Sequence, residues 1–309
     1  MTTDYSSPAH TDQWQRMLAI VSQHPDQLQS NLASQFKKLF LRRLLVENTI
    51  VFLLQYTGLM ISTLQSPFSP LWLASGTACA FIFLRGYSIV PGIWLGSFSA
   101  YYLAHSGIGL ACGAATVLSL QAVMLLWICF RFIGPTLIFY RKLVFVKFIF
   151  CCSVLTAMTS LILAILCFSS IQFWLQWWLA DLGGILILSC AVIAWDMYFT
   201  QLDALKKLNV LTLSLSYGLL LAITMVFLSS SGSQSIAWFG VTTLPIVLFI
   251  SVRFGWCGAI SAVFLLGLLL TLAVFVNAPY HFSPTLLIYL QLTLIIETII
   301  GLLIAIKSS

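Results

Sequence analysis

Three carboxylates stand inside apolar runs of this sequence, Glu47, Asp181 and Glu297, and any chemistry has to be read outward from them. A charge at the centre of a membrane helix costs roughly 2.5–3.5 kcal/mol on insertion scales, so each must face protein, water or a partner. Glu47 follows Arg43 by four residues, the spacing of a local helical ion pair. Asp181 is different: Trp174, Trp177 and Trp178 precede it at i−7, i−4 and i−3, spacings that share one helix face. Two readings are open. The carboxylate is the floor of an outward-opening pocket for a small cationic or zwitterionic ligand, ringed by indoles. Alternatively, the tryptophans are an interfacial aromatic belt above a carboxylate bonded to a neighbouring helix. Glu297 has Gln291 and Thr293 one or two turns above it and no basic residue at its depth, so it is protonated, hydrated or bonded to hydroxyls and amides. Gln55, Gln121, Gln172 and Gln176 complete the candidate lining.

Other reactive types lead less far. His105 and the Tyr280–His281 pair fall in outer loops, where histidines can bind metal or read pH, but no carboxylate accompanies them. The eight cysteines lie in or beside apolar runs without a CxxC pair or a Cys/His cluster, so they read as small buried hydrophobes and no metal centre is expected. No HRD, GGDEF, Walker or HEXXH pattern occurs. No catalytic residue and no cofactor are therefore expected, and the chain is not read as an enzyme.

What positions these residues is a membrane bundle. Of 309 residues, 61% are hydrophobic and 7% charged, against roughly 45–50% and 25% for soluble domains. With a mean hydropathy of +1.04, long apolar runs recur from about residue 44, and spans in lipid must satisfy their own backbone groups as helices. The fold class expected is an all-α polytopic bundle of about ten transmembrane helices: 44–64, 69–84, 88–105, 108–130, 144–167, 171–195, 210–229, 235–252, 256–277 and 284–306. All 14 Lys and Arg then fall on one side, which by the positive-inside rule puts both termini in the cytoplasm. Scattered singly and in pairs, the basic residues predict contact with membrane lipids and no nucleic-acid partner. Residues 1–43 form a cytoplasmic segment without signal-peptide character. In it Leu28, Leu32, Phe36, Leu39 and Phe40 recur at helical spacing, as in an interfacial helix leading into the first span of the 44–306 membrane domain.

The stretch WLASGTACAFIFLRGYSIVPGIWLG, Trp72 to Gly96, breaks its apolar run with Gly76, Arg85, Gly86, Pro91, Gly92 and Gly96. Arg85 marks a cytoplasmic corner, Pro91 sits in a first turn where a missing N–H costs nothing, and the Gly92/Gly96 GxxxG pair is expected to pack the two short helices together. The whole pattern, WxxxG then RG then PGxxxG, resembles the signature of the first class of bacterial membrane-associated sensor domains, the MASE family, also found in the membrane half of the hexose-phosphate sensor kinase. WWLADLGG, ending at Gly184, is similar to that family's WWxxDxxG element. Leu244–Pro245 followed by RFGWCGA, with Arg253 and Gly255, is similar to its LPxxxxxxRFGxxGA element. One departure stands out: Cys190 occupies a position where the family usually carries proline, which leaves the expected kink of the sixth helix in doubt.

The resemblance implies a sensory module of the bacterial inner membrane that binds a small molecule and signals to a cytoplasmic output, commonly a diguanylate cyclase or histidine kinase, either fused or on a separate partner. Asp181, Trp174, Trp177, Trp178, Glu297 and Gln291 are the candidate ligand-binding set. The GxxxG surface permits a homodimer. Buried carboxylates and interrupted helices also suit a transporter of small solutes, the alternative reading, and a third is a scaffold insensitive to Asp181→Asn and Glu297→Gln.

Overall fold

The computed structural model describes residues 25–64, 69–104, 107–133, 141–167, 170–199, 210–229, 233–277 and 284–306. Among the described residues the α-helices are ten: α1 Pro25–Leu64, α2 Leu73–Arg85, α3 Val90–Leu103, α4 Ile108–Ile128, α5 Lys142–Leu166, α6 Ile171–Gly184, α7 Cys190–Phe199, α8 Val210–Ser229, α9 Ser233–Asn277 and α10 Pro284–Ala305. The chain divides into two compact units after Glu47. The first is helical from Pro25; the amphipathic pattern expected between 28 and 40 lies outside the described side chains. The architecture that follows is that of the second unit.

Seven helices among the described residues are long and apolar enough to cross a membrane, and Ser214–Val226 is a shorter apolar helix. Two of the seven are overlong, Leu73–Leu103 at 31 residues and Phe239–Leu272 at 34, where about 20 suffice. Both contain a reversal. Along α2, Ala74 meets Gly58, Thr77 meets Gln55 and Ser88 meets Asn48, so the chain descends antiparallel to α1. Beyond the Gly86–Ile89 turn, Gly92 meets Asn48, Gly96 meets Phe52 and Ser97 meets Gln55, so α3 returns parallel to it. The second case mirrors the first. Gly240, Thr243 and Val247 meet Thr293, Glu297 and Gly301 in parallel register, and after Gly255 the contacts of Ala259 with Gly301 and Gly267 with Leu294 run the other way. Gly86 and Gly255 hold φ of 72° and 68°, a conformation that costs an L-residue roughly 1–2 kcal/mol. Each follows an exposed arginine, Arg85 or Arg253.

The glycines do not pack the arms of the first hairpin on each other, as the GxxxG reading expected. Gly92 and Gly96 lie against the backbone of α1, at Asn48 and Phe52, because that helix runs alongside both arms. A Cβ on Gly76 would overlap the carbonyl of Gly184, and one on Gly184 the carbonyl of Trp72, so α2 crosses α6 backbone to backbone. Pro91 does occupy the first turn of α3.

At the centre runs Ile171–Asp196, the most deeply buried of the seven membrane-length helices among the described residues. Its middle is a π-helical turn, Ile185–Ser189, between α6 and α7. The sixth helix is thus irregular just ahead of Cys190 without a proline, and the Ser189 hydroxyl bonds back to the Ile185 carbonyl at the wide turn. All eight cysteines are free thiols, and Cys79, Cys129, Cys152 and Cys190 pack into one apolar cluster with Phe145 and Phe148.

Candidate functional site

The Ser170 hydroxyl accepts from the Phe173 N–H to start α6, which delivers Asp181 about 16 Å further along at 1.5 Å per residue. The carboxylate is 2% exposed. Gln121 of α4 donates from Nε2 to its Oδ2 at 2.5 Å, and the Ser75 hydroxyl of α2 lies within reach without closing a formed hydrogen bond, leaving Oδ1 without a protein partner. A carboxylate can accept several hydrogen bonds, so one donor leaves most of its capacity unused.

Among the described residues, the groups around it are unmatched in the same way. Trp72 stacks on Trp177 with ring centroids 5.2 Å apart, and both indole N–H groups are buried without an acceptor. Tyr101 of α3 packs in the same cluster, its hydroxyl unpartnered and close enough to interact with the Asp181 charge. The Gln121 Oε1 and Ser75 Oγ atoms also lack partners. Four donors and two acceptors therefore converge from α2, α3, α4, α6 and the residue ahead of α2. An unmatched buried polar group costs about 1–3 kcal/mol, and native interiors rarely leave such groups unpaired. Together they suit a polar guest that both gives and accepts hydrogen bonds.

Of the six candidate ligand-binding residues, Asp181 and Trp177 are brought together, joined by Gln121 from the candidate lining. Trp174 and Trp178 stack on each other at 5.7 Å and turn to α5, where their indoles donate to the carbonyls of Ala157 at 3.1 Å and Ser153 at 3.0 Å. An indole N–H in an apolar medium seeks an acceptor, and α5 offers two. Glu297 sits elsewhere, 1% exposed, with Thr243 of α9 at 2.5 Å. Gln291 donates to the Ser69 carbonyl at 3.0 Å. Gln55 bridges the hairpin, accepting from Thr77 and donating to Ser97, and Gln172 is exposed. His105, Tyr280 and His281 lie outside the described residues. Among those described, no group of His, Cys, Asp and Glu could hold a metal ion.

Ser75 and Tyr101 were not legible as site residues, since each is an ordinary member of an apolar helix; Trp72 was visible only as a motif landmark. The segment leading into α2 ties this cluster to the last helix. Leu71, fully buried, lies against Gly183 of α6, Gly267 of α9 and, through the latter, Leu294 of α10, one residue before the stacked Trp72 and two after the Ser69 carbonyl that holds Gln291.

No curated protein and no solved structure matches the chain. A family model does, MASE1, over residues 44–309, the full extent of the membrane spans and of every landmark from Trp72 to Gly255. The chain belongs to the MASE1 family of membrane-associated sensor domains.

Proposed function

We propose that this MASE1 domain senses a small polar molecule, bound where Asp181, Gln121, Ser75, Tyr101, Trp72 and Trp177 converge, and transmits occupancy to a cytoplasmic output through α10. The observation that carries this reading is a buried carboxylate with an unpartnered oxygen, among unpartnered buried donors. A guest with cationic or zwitterionic character and hydroxyl or amide acceptors matches both the Asp181 charge and the indole and phenol donors. Residues 69–72 are the proposed relay. A guest that shifts Trp72 shifts Leu71, which is wedged among α6, α9 and α10, and the Ser69 carbonyl that holds Gln291. A coupling of 1–3 kcal/mol between site and helix gives a usable switch.

In the bilayer, the reading has ten crossings, with both termini cytoplasmic in the bacterial inner membrane. Its support is the reversal at Gly86 and Gly255, each beside an arginine on one common side, together with the shorter α8. A carrier of small solutes is the second reading, favoured by the two hairpins and the two buried carboxylates, Asp181 and Glu297. Counterflow in proteoliposomes separates the two, because flux of a bound solute supports a carrier and binding without flux a sensor. The test of the site is a thermal-shift screen of the full chain in detergent against amino acids and sugar phosphates. A hit at 100 times its Kd adds about 2.7 kcal/mol to stability, and Asp181→Asn should abolish that shift. A hit retained undiminished in Asp181→Asn would move the site away from α6.

A further inference from the structure

The cluster around Asp181 leaves the second buried carboxylate unexplained. Glu297 lies in the seam between α10 and the first arm of α9, and the seam is tight on both sides of it. One turn above, a Cβ on Gly240 would stand 2.7 Å from the Thr293 methyl; one turn below, a Cβ on Gly301 would stand 3.1 Å from the Ser251 hydroxyl. Between these close approaches the carboxyl meets, among the described residues, a single polar partner, the Thr243 hydroxyl at 2.5 Å, and Oε2 has none.

Counting protons shows which form fits. Thr243 Oγ1 is also 2.8 Å from the Phe239 carbonyl, which can only accept. One hydroxyl carries one proton, so it cannot serve both oxygens. If it goes to the carbonyl, the contact with Glu297 requires a proton on the carboxyl. Among the described residues an ionised carboxylate here would have at most one donor and no cation, and an unpaired charge in a protein interior is far costlier than a neutral acid. The titratable groups on the elements packed against α10 do not supply a cation: Asp181 on α6 is held by Gln121, and Arg253, exposed beside the Gly255 turn with Cys257, lies below the Ser251–Gly301 contact, on the far side from Glu297. On α10 itself, Tyr289 stands two turns above. Among the described residues, Thr243 is the side chain hydrogen-bonded to Glu297.

We propose that Glu297 is a proton-binding site, distinct from the Asp181 cluster, whose neutral carboxyl latches α10 to the first arm of α9 by donating to Thr243. On release the carboxyl O–H breaks, the proton passes to water that enters the seam, and the carboxylate must draw further donors or water to it, loosening the last helix. The inference does not rest on the ligand reading. Its test is infrared spectroscopy of the full chain in nanodiscs, following the carbonyl stretch of protonated carboxyl groups. The expected result is a band present at neutral pH, lost at alkaline pH, absent from Glu297→Gln, moved to higher frequency in Thr243→Val and retained in Asp181→Asn. A missing band at neutral pH, a band that survives Glu297→Gln or disappears in Asp181→Asn, or no displacement in Thr243→Val would overturn the proposal. Because Thr243→Val keeps the carboxyl, that comparison still decides the matter should Glu297→Gln fail to fold.

Discussion

Asp181 keeps one strong bond, to Gln121 at 2.5 Å, and that bond makes a specific demand on substitution. Gln121→Leu removes the donor while leaving the carboxylate buried, which should cost about 1–3 kcal/mol. Replacing both partners, Gln121→Leu with Asp181→Leu, removes the stranded charge as well and should recover most of that stability while abolishing ligand response. Denaturant or thermal unfolding of the three variants in detergent measures this; a double variant less stable than Gln121→Leu would show that the pair is structural. At this scale the sequence revealed that Asp181 had to face inward, because lipid does not tolerate it. It named Gln121 as one of four candidate glutamines without pairing it to Asp181, and it missed Ser75 and Tyr101, since the three come from three other helices and periodicity carries no information between helices. The tryptophans show the limit of helical spacing. Trp174 and Trp177 both fall within a wide arc of the Asp181 direction, yet α6 has neighbours on two flanks, and the available carbonyls of α5 took Trp174 and Trp178 while Trp72 took Trp177.

Helices meet here through glycine, and the partners were the unreadable part. The pattern WxxxG…RG…PGxxxG marks where close approach and reversal occur, and the Arg–Gly corners coincide with the positive-φ positions at Gly86 and Gly255. A GxxxG pair does not name the helix it receives, and Gly92 and Gly96 receive α1 instead of α2. The crossing of α2 on α6 is the most demanding contact. Gly184→Ala drives a methyl into the Trp72 carbonyl, next to the backbone bond from Trp72 N–H to the Ala180 carbonyl at 3.1 Å, and should cost about 3 kcal/mol, the upper end for overpacking. Gly113→Ala, whose Cβ would meet only a Leu166 methyl at 3.6 Å, should be nearly neutral. Equal losses of melting temperature in the two variants would contradict this account of the crossing. The π-helical turn at Ile185–Ser189 sits directly beyond Gly184, so the same crossing marks the point where the central helix departs from regularity.

Across the whole molecule, composition alone established the solvent and the helical class. The long-range relation between site and last helix was absent from the sequence, because it passes through residues 69–72, a short segment whose importance comes from the helices around it. The Asp181 cluster and the Glu297 carboxyl reach α10 from two sides, one through Leu71 and the Ser69–Gln291 bond, the other through Thr243. The ten tryptophans, spread over the chain, offer a reporter of where a ligand acts. The most direct measurement is the indole 15N–1H spectrum of the full chain in nanodiscs, assigned by single Trp→Phe substitutions and titrated with a compound that raises the melting temperature. The account predicts that the Trp72 and Trp177 resonances move with saturation and stay fixed in Asp181→Asn, while Trp174 and Trp178, already bonded to α5, move little. Shifts confined to Trp174 and Trp178, or a Trp72–Trp177 response that survives Asp181→Asn, would contradict it.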